Sequence, residues 1–65
     1  MEIDDMNKDE LIQKNVEEFS RLQNYMTLAD KDTAVYKAMK TRYIELKVIL
    51  TAFGVNLTQL DIINE

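Results

Sequence analysis

The chain has 65 residues, with 12 acidic against 8 basic side chains for a net charge of −4, and it contains neither Cys nor His. Disulfides are excluded, as is any thiolate or imidazole metal ligand, so that only oxygen donors could hold a metal. One small domain is the ceiling; a chain this short buries only about 60% of the surface its unfolded form exposes, which leaves self-association as the way to enlarge its core.

Apolar residues make up 46% of the chain and charged residues 31%, a balance that suits a folded domain. The negative charge opposes non-specific binding to nucleic acid or anionic membrane, and no apolar run approaches the roughly 18 residues of a membrane span. The acidic opening Met1-Glu2-Ile3-Asp4-Asp5 is the reverse of a signal peptide, and the default expectation is cytoplasmic. Residues 1–6 are expected to be flexible. There is no Pro and one Gly, Gly54, which argues against an all-β fold with its many turns.

The first predicted helix runs from about Lys8 to Ala29. Asn7 and Glu10 form a candidate capping box. Ile12, Val16, Phe19, Leu22, Met26 and Ala29 follow at spacings of three and four, which place them on one helical face. Asn15 falls inside that stripe. It can either fix a register from a buried position or sit at the edge and reach water, and the second is expected because most side-chain amides are exposed.

Asp30-Lys31-Asp32-Thr33 reads as a short connection in which either aspartate could cap the next helix. A loop this short makes the two helices antiparallel neighbours. The second helix is predicted over Thr33 to Phe53, with Val35, Met39, Tyr43, Leu46, Leu50 and Phe53 on its stripe, Ile49 widening it, and Gly54 as the left-handed residue that ends it. A third, short helix is predicted over about 58–64. Thr58 and Asp61 fit a capping pattern, and Leu57 with Ile62 forms a candidate hydrophobic staple. The expected fold is thus all-α, a single domain over 1–65 with helices at about 8–29, 33–53 and 58–64. Residues 1–29 carry a net −4, residues 30–53 a net +2 and residues 54–65 a net −2, so the central helix complements both flanks.

The candidate catalytic groups are few. Asp30-Lys31-Asp32 begins like a calcium loop but continues with Ala34 and Val35, where that loop needs Asp or Asn and then Gly. Asp9, Glu10, Glu17 and Glu18 lie mostly off the apolar stripe beside basic neighbours, which is the pattern of a solvated face; a dimetal bundle site would also need His. Ser20, the only serine, has no His to activate it. No enzyme, metal or cofactor is expected.

Phe53-Gly54-Val55-Asn56-Leu57-Thr58-Gln59-Leu60 has the outline of a helix-turn-helix turn. The would-be recognition helix offers no Lys or Arg to a phosphate or a guanine, so a small DNA-associated regulator is the alternative function and not the first. The size of the hairpin is similar to that of the small aspartyl-phosphate phosphatases, whose second helix carries Ser-Gln-Glu-Leu-Asp. The comparable stretch, Thr41-Arg42-Tyr43-Ile44-Glu45-Leu46-Lys47, lacks that signature, and membership does not follow.

The back of the second helix is the leading candidate site. Lys37, Lys40, Ile44, Lys47 and Val48 share it with Thr51, on the side away from Leu46. Basic residues framing a small apolar patch suit an acidic, amphipathic surface. The third helix, a second copy of the chain or another protein could supply it. The expected function is a protein-interaction or assembly module, self-associating or docking on a partner protein as a regulator.

Overall fold

The structure is a computed structural model and describes residues 7–65; the expected flexibility of 1–6 lies outside them. Two helices pack side by side, α1 over Lys8–Leu28 and α2 over Ala34–Ala52. No strand occurs among the described residues.

Local chemistry sets the helix limits. The Asn7 side chain accepts a hydrogen bond from the Glu10 N–H, which starts α1 as the sequence implied. The cap of α2 is Thr33 and neither Asp30 nor Asp32: Thr33 Oγ1 accepts from the Tyr36 N–H and donates to the Asp30 carbonyl. One hydroxyl thereby closes the connection and starts the helix. At the far end Gly54 has φ +85. The Val55 N–H reaches the Leu50 carbonyl and the Gly54 N–H that of Thr51, the Schellman pattern that only a left-handed residue such as glycine permits at low cost.

The core forms where the two stripes meet. Phe19 and Met26 of α1 and Tyr36, Tyr43, Leu46 and Leu50 of α2 are buried, with Val16, Leu22, Ala29 and Met39 packed around them. Phe19 and Tyr43 stack with ring centroids 5.5 Å apart. Each such large apolar side chain contributes about 1.5–3 kcal/mol on burial. The stripe of α2 differs from expectation at its start. Tyr36 is buried while Val35 is 64% exposed, because Tyr36, Met39, Tyr43, Leu46 and Leu50 keep a three–four alternation and Val35 falls beside it.

The third predicted helix does not form. Leu57 to Asp61 make a single turn, closed by bonds from the Leu60 and Asp61 N–H groups to the Leu57 carbonyl, and the rest is irregular. Thr58 is no cap; its N–H donates to the Asn56 side chain. A side chain on α1 has replaced the helical bonds. Gln23 Oε1 accepts from the N–H groups of Ile62 and Ile63, at 2.7 and 3.0 Å, and its Nε2 donates to the Leu60 carbonyl at 2.8 Å. A helix would have assigned those three groups to Thr58, Gln59 and Asn64. Asn64 instead takes φ 58, a conformation asparagine tolerates better than most residues. Residues 55–65 thus form a strap over the hairpin, with Val55, Leu57, Leu60 and Ile63 against the core.

Candidate functional site

Two surfaces are distinct in this fold: the groove between the helices that the strap fills, and the outer face of α2 that the strap leaves open.

The groove is lined by polar groups that hold the strap from both sides. Gln23 is buried, with 1% of its surface exposed, and supplies one donor and one acceptor to three backbone groups. Only one orientation of its amide satisfies all three. Opposite it, the Tyr43 hydroxyl donates to Asp61 Oδ1 and accepts from the Glu65 N–H. Lys47 Nζ lies 2.9 Å from Asp61 Oδ2 and 2.9 Å from the Glu65 carbonyl oxygen, and 5.1 Å from the centre of the Tyr43 ring. Lys40 pairs with Glu65 Oε1 at 2.8 Å, and Lys31 stands 3.4 Å from Glu65 Oε2.

These contacts set the titration of the groups. Burial works to raise the Asp61 carboxyl, but hydrogen bonds from Tyr43, the Asn64 N–H and Lys47, together with the lysine charge, hold it below its ordinary value. The hydrogen bond from Lys40, aided by Lys31, lowers Glu65 against a smaller opposing effect of burial. Burial and then the bond to Asp61 raise the Tyr43 hydroxyl. The Asp61 bond raises Lys47, and the Glu65 bond raises Lys40.

The five residues named from sequence therefore divide. Lys40 and Lys47 meet carboxylates of the chain itself, those of Glu65 and Asp61 respectively. Lys37 is exposed and joins no ion pair among the described residues. Ile44 and Val48 stay 45% and 65% exposed. With Lys47, Thr51, Ala52 and Glu65 they line a shallow depression of about 550 Å³. The strap reaches the Lys47 flank of α2, and Glu65 forms one edge of this depression.

Gln23, Tyr36 and Glu65 are not among the candidate site residues that the sequence offers, and Asp61 enters there only as a capping acid. Gln23 had a signal, because it interrupts the buried series Phe19, Gln23, Met26 as Asn15 interrupts Ile12, Asn15, Val16. Asn15 is half-buried and donates to the Leu11 carbonyl of its own helix. The polar residue that fixes a tertiary register is Gln23. The acids of α1 do not converge: no group of three or more potential ligands that could hold a metal occurs among the described residues. Glu18 instead grips Arg42 through two hydrogen bonds of 2.8 and 3.0 Å, and Arg42 also reaches Glu45 at 3.1 Å. These hydrogen bonds from Arg42 pull the Glu18 carboxyl below its usual range. The turn at Gly54 leads into the strap, so Thr58–Glu65 is not a recognition helix.

Among the described residues no helix is long and apolar enough to cross a membrane. No family model matches the chain, and neither a search of curated proteins nor one of solved structures returns a match.

Proposed function

We propose that this chain is a protein-docking module that works by association and not by chemistry, through the outer face of α2 formed by Lys37, Lys40, Ile44, Lys47 and Val48. The observation that supports this is the exposure of Ile44 and Val48 after the strap has folded. The chain has its own apolar segment, Val55 to Ile63, and uses it to cover the groove, while two adjacent branched residues one turn apart on α2 stay bare. Scattered apolar residues on a surface are ordinary. A contiguous pair in a depression, edged by charged groups, has the layout of an interface centre and its rim.

The test is chemical cross-linking of the untagged protein inside cells that make it. The wild-type chain should be trapped above its monomer mass, and a chain carrying Ile44→Asp with Val48→Asp should stay a monomer while keeping the wild-type helicity once purified. Equal trapping of the two overturns the proposal.

A further inference from the structure

What covers Ile44 and Val48 is decided by the charges around them. Among the described residues, every ionic group bordering the patch except Lys37 is already paired within the chain: Lys40 with Glu65, Lys47 with Asp61 and Arg42 with Glu45. An acidic partner helix would have to compete with Asp61 and Glu65 for the same lysines. A surface whose rim is electrically closed can instead face its own copy without net repulsion.

The spacing of the patch adds a second argument. Thr41, Ile44, Val48 and Thr51 recur at three, four and three residues, the seam of a helix that packs along another helix. Ala38 and Ala52 flank the seam, both exposed, and such small side chains allow a close approach. The molecule is also thin, 43 × 24 × 15 Å, a single layer of two helices under a strap. A stable fold more often has two packed layers.

We infer that the occupant is a second copy of this chain, with the two α2 helices antiparallel across a twofold axis; this rests on the docking role of the same surface. The axis places Ile44 opposite the Val48 of the second copy, and the same register places Thr41 opposite its Thr51. Lys37 then falls beside the second copy's helix end, beyond Ala52. The last turn of α2 contains no basic residue, and a cation there meets the negative end of the helix dipole. A parallel pair would stack Lys37 on Lys37 in the seam. One face of α2, about 28 Å long and about 10 Å wide, is smaller than a standard interface of about 800 Å² per partner. The dimer is therefore weak and dissociates on dilution.

Sedimentation of the purified full chain tests this from about 10 µM to about 1 mM, a range across which a weak interface fills. The mass should rise from monomer toward dimer, and the dissociation constant should shift less than about threefold between about 50 and 500 mM salt, because the rim is neutral. Val48→Asp should remain monomeric throughout while keeping the wild-type melting curve; Ile44→Asp is the second variant should the first lose helicity. The absence of native cysteine allows a check of orientation. Ile44→Cys with Val48→Cys should oxidise to a covalent dimer at least about tenfold faster than Val48→Cys alone, since effective concentration follows geometry. Equal rates overturn the antiparallel arrangement, and a monomer at about 1 mM overturns the second copy as occupant. If the complex trapped in cells still depends on Ile44 and Val48 in that event, the docking role stands and only the identity of the occupant fails.

Discussion

Replacing Gln23 with leucine removes the one side chain that links α1 to the strap by hydrogen bonds. The volume is nearly conserved, so packing against Phe19 and Met26 survives and the perturbation is polar. Three bonds of 2.8, 2.7 and 3.0 Å disappear. Each is worth about 1 kcal/mol net, and a group left buried and unpaired costs about 1–3 kcal/mol. The strap can avoid the larger cost only by lifting into water, which uncovers Leu60 and Ile63. The loss is therefore about 3 kcal/mol by either route. A domain of this length has about 3–10 kcal/mol in total, so Gln23→Leu should leave it close to unfolding. Urea denaturation followed by circular dichroism measures the loss. Amide hydrogen exchange identifies the route, since the Ile62 and Ile63 N–H groups should exchange faster than Tyr43 if the strap lifts alone. A variant with the wild-type urea midpoint and slow exchange at Ile62 and Ile63 would refute the idea that Gln23 holds the strap.

Acid should weaken the fold through Asp61 and Glu65. Folding holds both carboxyls below their ordinary values of 3.8 and 4.5, so their contribution is fully present above those values and is lost as pH falls through the lowered folded values. Thermal melts should show a falling midpoint below about pH 4.5, and the fall should be smaller in Tyr43→Phe, which lacks one hydrogen bond to Asp61; equal falls would remove Tyr43 from the linkage. At the turn that opens the strap, Asn56→Ala should speed exchange at the Thr58 amide, whereas Thr58→Ala should leave exchange at the Leu60 and Asp61 amides unchanged, because those groups donate to the Leu57 carbonyl; faster exchange there would restore Thr58 as a cap.

The hairpin was legible in the sequence because it depends on local rules. Periodicity located Phe19, Met26, Tyr43, Leu46 and Leu50, all four helix limits fall within one position of expectation, and two of them were marked by single residues, Asn7 and Gly54. The error at Val35 came from choosing between two adjacent stripes of similar apolar content. Tyr36 won because its hydroxyl can reach the surface, at 3.5 Å from Glu65 Oε2, while its ring is buried. Such an amphipathic side chain serves the edge of a core better than valine does.

The strap was not legible, and the reason is physical. Thr58, Asp61, Leu57 and Ile62 carry a valid local signal for a helix start, but a short isolated helix is marginal in water and yields to tertiary bonds. Gln23, 37 residues upstream of Leu60, offers those bonds, and no rule of spacing connects the two. Asp61, which read as a capping acid, turns to Tyr43 and Lys47 instead. The same competition decides the outer face of α2. A helical third segment would have needed its own apolar side covered, and Ile44 and Val48 are among the exposed apolar residues of the hairpin. As one turn and an irregular run, the segment places Val55, Leu57, Leu60 and Ile63 against the core, bonds three of its backbone groups through Gln23 and places the Asp61 and Glu65 carboxylates on the lysine flank. Held in the groove by Gln23, the segment leaves Ile44 and Val48 45% and 65% exposed.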